Sequence, residues 1–326
     1  MPTANQIKLS AIRAYPIKSC HGVELTEGHI TNMGLSIDRR FMFIEAESGR
    51  FITQRKYSSM ALIRPLVDPV ADTLTLTAEG QPDLVLPFHP EKLGRKYNAT
   101  LWKDKLNVFD MGDEASKWIG NFMESHRDHH KSNPTGDIDF DAPFPELRLV
   151  TLDDPTNGQY SRPSLDSLPG IHSPFSDWSP ISFGCEASLE DVNRGLKETG
   201  VTNESIPINR FRNNLTFSGT IPWEEDEWLV VKIGEVTFYV IRHTARCPVP
   251  GIDQDTAKKD SWGGVTEYLS KVRNIPPKPG MNNGCFCVDV APLTSGTIRV
   301  GDSVEILERI PAKYVEHPVP PRPSSP

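Results

Sequence analysis

Apolar and polar side chains alternate in short runs through the first hundred residues. In the segment 8–17 the apolar positions include Leu9, Ala11, Ile12 and Tyr15, a spacing that predicts a strand with one buried face. Further short strands are predicted over 24–31, 40–45, 60–67, 73–77 and 83–87. Turn signals at Asn32-Met33-Gly34, Glu47-Ser48-Gly49 and Glu79-Gly80 separate several of them. Strands punctuated at such spacing predict a barrel or sandwich. The period changes over 113–125, where Ala115, Trp118, Ile119 and Phe122 recur at helical spacing behind Gly112.

The segment 126–146 is polar and rich in Pro and Gly and predicts a loop, followed by a strand over 147–152. The stretch 153–178 reads as long and irregular, a length that suggests a functional or lid-like segment. Ser188 and Asp191 form a capping-box-like start for a helix through about Thr199, with Leu189, Val192 and Leu196 as its buried stripe. Strands are predicted over 214–218, 228–233, 235–243, 285–291 and 297–307, and a short helix over 263–272. From Pro311 the chain carries six prolines in its last 16 residues, which predicts a disordered or extended tail.

The length, 326 residues, suits roughly two domains. The formal charge of −8 argues against nucleic acid or an anionic membrane as the main partner, since both select a basic footprint. No apolar run reaches the ~18 residues that span a bilayer. The N-terminal nine residues show neither a signal nor a transit pattern, so a soluble, cytoplasmic protein is expected. Five scattered cysteines, Cys20, Cys185, Cys247, Cys285 and Cys287, suit a reducing compartment. Cys-x-x-Cys, His-Glu-x-x-His, Gly-x-Gly-x-x-Gly and phosphate-loop patterns do not occur.

Three groupings could carry chemistry. Arg246-Cys247-Pro248 places a thiol at a strand end beside a cation, which favours the metal-binding thiolate. Lys18-Ser19 at another strand exit offers a charge and a hydroxyl to an oxyanion. Arg39 and Arg212 sit in polar, turn-flanked contexts and gain meaning if they converge on one anion. Against these stand ordinary roles: a packed thiol, a solvated strand end and surface ion pairs. His126, His129 and His130 read as a solvated loop. His243 and Cys247, four apart on a strand, stand about 13 Å apart and do not form a pair unless the chain bends. Cys285 and Cys287 share a strand face about 7 Å apart, which suits core packing better than a disulfide.

The order of motifs resembles the MOSC (molybdenum cofactor sulfurase C-terminal domain) superfamily, in particular the two-domain, amidoxime-reducing group. The likeness runs through Tyr15-Pro16-Ile17-Lys18-Ser19-Cys20, Met33-Gly34-Leu35, Asp38-Arg39 and Phe51-Ile52-Thr53-Gln54-Arg55. It continues through Ser176-Asp177-Trp178-Ser179-Pro180, Glu186-Ala187-Ser188-Leu189 and Phe211-Arg212-Asn213-Asn214. It closes with Glu225-Asp226-Glu227-Trp228, Ile233-Gly234, Arg246-Cys247, Asp253-Gln254-Asp255-Thr256 and the run 296–302. Thr244, Ala245, Trp178 and Asn213 depart from the pattern, at positions where a cysteine, a serine, a small polar residue and a proline are expected.

The resemblance implies a mostly β fold with some α: an N-terminal β-barrel domain over 8–105, a connecting helix and variable loop over 106–146, a MOSC β-barrel domain over 147–308 and a tail over 309–326. It implies a molybdenum–molybdopterin cofactor with Cys247 as metal ligand. Cys247 and Asp177 would be the catalytic residues. Lys18, Ser19, Arg39 and Arg212 would hold the pterin and its phosphate, supported by Asn214, with Ser179 and Arg246 beside them. The implied activity is reduction of small N-hydroxylated compounds, amidoximes or hydroxylamines. Electrons would come from a partner protein of the cytochrome b5 or flavin/iron–sulfur reductase type. The alternative is a carrier of molybdenum cofactor or sulfur. Pyridoxal phosphate enters only at superfamily level, through a sulfurase domain not seen in this sequence. Mitochondrial association stays open beside the cytoplasmic expectation.

Overall fold

The computed structural model describes residues 6–91, 94–134, 138–153, 162, 164–165, 168–275 and 284–310. The tail expected over 309–326 therefore lies almost wholly outside the described residues. Two sheets organise the chain, and neither respects the order of the sequence.

The larger sheet has eight strands in the order Val23–Leu25, Lys8–Ala14, Leu215–Ser218, Ile181–Cys185, Cys285–Pro292, Val236–Ala245, Trp228–Ile233 and Val304–Arg309. All neighbours are antiparallel except Ile181–Cys185 with Leu215–Ser218, a parallel pair joined through the helix Glu186–Glu198. Its core packs Phe183 edge-on against both Phe217 and Phe238, and Phe217 against the fully buried Trp228. The second sheet has four strands: Phe41–Glu45, Leu147–Thr151, Asp104–Asp110 and Lys96–Leu101. Both of its faces are covered. Phe41 and Phe43 join a cluster with Trp118 and Phe122 of the helix Asp113–Ser125, while Met42 and Ile44 point the other way to meet Val108 and Val150. That alternation is the period of a strand buried on two sides.

The first strand, Lys8–Ala14, thus belongs to the sheet of the second half, and Leu147–Thr151 belongs to the sheet of the first. Sheet pairing crosses the boundaries drawn from the sequence. The reason is non-local pairing: Lys8 stands opposite Ser218, and Leu149 opposite Phe43. A further strand, Glu27–Thr31, pairs with Gly296–Arg299 near the other end of the chain.

Other expectations shift locally. The strand predicted over 60–67 begins at Arg64, because residues 58–62 form a buried 3-10 turn. Within 126–146, a short helix, Arg127–Ser132, replaces part of the expected loop. His130 is buried there, 3.1 Å from Ser59 Oγ and stacked on Phe140. The helix expected from Ser188 starts at Glu186, and the Ser188 hydroxyl bonds Glu225 instead of capping. The run 297–307 breaks at Gly301, whose φ of +94° turns the chain between two strands. The hairpin formed by Lys96–Leu101 and Asp104–Asp110 was not read from the sequence.

Candidate functional site

All nine residues singled out in the sequence, Lys18, Ser19, Arg39, Asp177, Ser179, Arg212, Asn214, Arg246 and Cys247, line one cavity of about 240 Å³. They reach it from the turns and loops that link the strands. Lys18 and Ser19 follow Lys8–Ala14, and the Lys18 amide is tied to the Phe41 carbonyl at 2.8 Å. Arg39 is pinned by its amide to the Tyr15 carbonyl, and the Asn214 amide donates to the Ser182 carbonyl. Arg246 and Cys247 continue from Val236–Ala245, with the Arg246 amide bonded to Gly284.

The backbone is unusual here. Eight described residues other than glycine have a positive φ in the left-handed region, and four of them, Ser19, Arg39, Trp102 and Arg212, line this cavity. Such conformations cost about 1–3 kcal/mol each and persist where the surroundings fix them. The fixing is visible. Asp38, fully buried, accepts from the Tyr15 amide and Asn214 Nδ2 on one oxygen and from Arg39 Nη1, at 2.6 Å, on the other. Arg39 also donates to Asn214 Oδ1 and to the Arg212 carbonyl. Arg212 donates to the Cys20 carbonyl at 2.6 Å and to Gln254 Oε1, and both guanidiniums lie against the ring of Tyr15.

Charge is concentrated in this cavity. Among its lining residues are six cations, the five arginines 39, 55, 210, 212 and 246 with Lys18, against two carboxylates, Asp177 and Asp289. This occurs on a chain of net charge −8. Arg210 is already matched by Asp253 and Asp260. Burial lowers the Lys18 pKa to about 8, although Asp177, 2.5 Å away, pulls the other way. Burial opposes the Asp177 carboxylate too, but Lys18, Trp102 Nε1 and Arg55 outweigh it and hold its pKa below the usual range. Burial also lowers the Arg212 pKa, with neighbouring Arg39 adding to the effect and Tyr15 opposing it. It remains a cation at physiological pH. Arg246 donates to the carbonyls of Phe286 and Phe211 and leaves Nη2 buried without a partner among the described residues, as Ser176 leaves its Oγ. Orphaned donors on a cationic cavity wall are what an anion completes.

Cys247 is half-buried at the cavity wall, while the other four cysteines are buried and all five are free. Among the described residues no three His, Cys, Asp or Glu side chains cluster to hold a bare metal ion. The cavity therefore offers a metal one soft ligand, and its remaining ligands would come from an organic group. These residues fit a metal–dithiolene cofactor carrying a phosphate: one thiol for a soft metal, cations for the anion. His243 faces Asp226 rather than Cys247. The Ser179 hydroxyl is turned to the Ile181 carbonyl, so this residue shapes the loop rather than presenting a donor.

Sequence reading missed Arg55 and Trp102, which approach Asp177 from the first half, and Gln254, which orients Arg212. It also missed Arg162, whose guanidinium gathers the carbonyls of Pro174, Ser176 and Asp177. Arg55 and Gln254 lay inside quoted motifs, whereas Trp102 and Arg162 carried no local signal.

Two family models match the chain: the MOSC N-terminal beta barrel domain over residues 6–126 and the MOSC domain over residues 172–305. The mitochondrial amidoxime reducing component 2 of Rattus norvegicus is 27% identical over 91% of this chain and 82% of its own length. Component 1 of Mus musculus is 29% identical over 90% and 80%. The molybdenum cofactor sulfurase of Danio rerio is 28% identical over 77% of this chain, which corresponds to 29% of that protein.

Proposed function

Because this chain belongs to the MOSC family and carries both of its domains, we propose that it is a molybdenum cofactor-dependent oxidoreductase that reduces small N-hydroxylated compounds with electrons from a partner protein. The observation that carries the reading is the meeting of one accessible thiol, Cys247, with cations from both halves of the chain on a single cavity. The resemblance to the amidoxime reducing components over about nine-tenths of the chain supports the reaction class.

Cys247 would ligate the metal. Lys18, Arg39 and Arg212 would hold the pterin phosphate, with Arg246 Nη2 as a further donor. The bound group supplies two-electron exchange at its metal, so that an N–O bond is broken and, with two electrons and two protons, its oxygen leaves as water. The chain's own part is positional. Asp38 and Asn214 fix the Arg39 guanidinium, Gln254 fixes Arg212, and Arg162 holds the 174–178 loop that carries Asp177 against Lys18. Asp177, kept ionised by its cation neighbours, faces the same cavity as Cys247 and is placed to accept a hydrogen bond from a substrate N–H or O–H.

The test is elemental and pterin analysis of the purified chain together with benzamidoxime reduction using an artificial electron donor. Stoichiometric molybdenum, turnover, and loss of both in Cys247→Ala are expected. The similarity to a molybdenum cofactor sulfurase keeps a carrier role as the second reading. Bound cofactor with no turnover on any N-hydroxylated compound would favour it over the first.

A further inference from the structure

The chain has six tryptophans. Trp118 and Trp228 are buried, and Trp223 and Trp262 are packed on an apolar cluster. The other two, Trp102 at 43% exposure and Trp178 at 58%, are the only aromatic residues among the exposed large hydrophobic side chains described, and both line the cavity of Cys247. Indole surface left in water is unfavourable by its apolar area, so its confinement to one cavity points to a ligand that covers it.

Both indoles are held. Trp102 occupies the turn of the hairpin Lys96–Leu101 and Asp104–Asp110 with φ of +55°, a conformation that bulky residues rarely adopt. Its Nε1 donates to Asp177 Oδ1 at 3.0 Å, Arg55 stacks 4.6 Å from its ring, and Phe51 meets it edge-on. Trp178 is the residue after Asp177. Arg242 lies 4.5 Å from its ring and is itself fixed by Asp289. The carboxylate of Asp177 is thus bonded to one of these aromatic side chains and adjacent in the chain to the other, and all three line the same cavity.

We infer that Trp102 and Trp178 form a subsite for a planar aromatic ring, and that the substrates of this cavity are aromatic compounds whose N–O group is presented beside Asp177. The inference rests on the proposed reductase reading for the N–O group, but not for the ring. A preorganised aromatic wall gives up little rotamer freedom on binding and favours flat, conjugated ligands over saturated ones of equal size. The indole of Trp178 makes no hydrogen bond among the described residues, so shortening it removes the surface without unpairing a buried group.

The test compares wild type, Trp178→Ala and Trp178→Phe in the full-length, cofactor-loaded protein. Intrinsic fluorescence is titrated with benzamidoxime and with acetamidoxime, without any electron donor, and kcat/KM is measured for the same pair with an artificial donor. Wild type is expected to bind benzamidoxime with fluorescence quenching. Trp178→Ala should lower the aromatic-to-aliphatic kcat/KM ratio about five- to tenfold through KM, weaken the titrated affinity equally, and be restored by Trp178→Phe. An unchanged ratio and affinity in Trp178→Ala would overturn the inference. So would an effect confined to the KM of a protein electron donor, which would mark the indoles as a docking patch. If no compound is reduced while benzamidoxime still quenches wild type and not Trp178→Ala, the subsite stands and the reductase reading falls.

Discussion

The protonation of Lys18 sets a measurable pH limit on anion capture by this cavity. Lys18 is 6% exposed, and burial brings its pKa down to about 8. A lysine whose folded pKa is depressed carries its charge below that value and loses it above. At pH 7 about nine-tenths of the protein holds the charge, and at pH 9.5 only ~3% does. If the charged form alone captures a dianion well, the apparent Kd rises as 1 + 10^(pH − pKa), or ~33-fold at pH 9.5. That limit is within reach, since one charge pair at ~4 Å in an effective dielectric of ~20 is worth ~4 kcal/mol. The arginines stay charged over this range and cannot mimic the effect. Sulfate, dianionic throughout, is the probe, titrated calorimetrically at pH 7.0, 8.0 and 9.5. A Cys247→Ser background keeps the thiol out of the titration. Lys18→Arg should bind with a flat profile, and Lys18→Gln should bind weakly and flatly. A wild-type profile that parallels that of Lys18→Gln would refute the reasoning, because the fall would then belong to other groups.

Asp38→Ala should destabilise the fold by about 3–5 kcal/mol in urea unfolding, since it removes the carboxylate partner of the largely buried Arg39 guanidinium and the acceptor of the Tyr15 amide; a loss under ~1 kcal/mol would show that Asp38 holds nothing. Gln254→Ala should weaken sulfate binding about threefold to tenfold, read calorimetrically, because it removes one of the two acceptors that orient Arg212 Nη1, and should cost about 1–3 kcal/mol of stability by unpairing the buried Gln54. Gly34→Ala should cost more than ~1 kcal/mol in thermal unfolding, as φ is +86° and a Cβ would lie 2.6 Å from the Pro180 carbonyl oxygen. Glu225, raised to about 7 by burial and then by neighbouring Asp226, favours folding while protonated, so its contribution is lost as pH rises from its unfolded value through 7. Glu225→Gln should therefore flatten the wild-type decline in stability between pH 5 and 8.

Much of the cavity was legible because its residues sit at strand exits inside short ordered motifs, where side-chain type carries the chemistry. Lys18-Ser19 and Asp38-Arg39 occupy turns, and Arg212-Asn213-Asn214 and Arg246-Cys247 the irregular chain beside a strand, places that announce themselves in sequence. What could not be read was the pairing. Nothing local in 8–14 says that this strand lies beside 215–218, and the strand 147–151 gives no sign that its partners are 41–45 and 104–110. The exchange of strands across the domain boundaries drawn from the sequence stayed hidden for that reason. The histidines failed differently. A polar run, His126 to Ser132, reads as solvated until Ser59 and the rings of Tyr57 and Phe140 enclose His130, and burial then pushes its pKa down to about 3.

The crossed pairing also explains how so many cations share one cavity. Like charges repel, and a chain of net charge −8 could have dispersed them. Here four of them are held by neighbouring acceptors: Arg39 by Asp38, Lys18 by Asp177 and the Phe175 carbonyl, Arg212 by the Cys20 carbonyl and Gln254, Arg246 by two further carbonyls. Most of these acceptors are neutral, so the guanidiniums are oriented without being discharged, and the potential they project into the cavity survives. The strand from 8 to 14, threaded into the sheet of the second half, delivers Lys18 and Ser19 to the same cavity as Cys247. Lys8–Ala14 and Val236–Ala245 share one backbone-hydrogen-bonded sheet, and so the segments that carry the cations and the thiol are tied to a single framework.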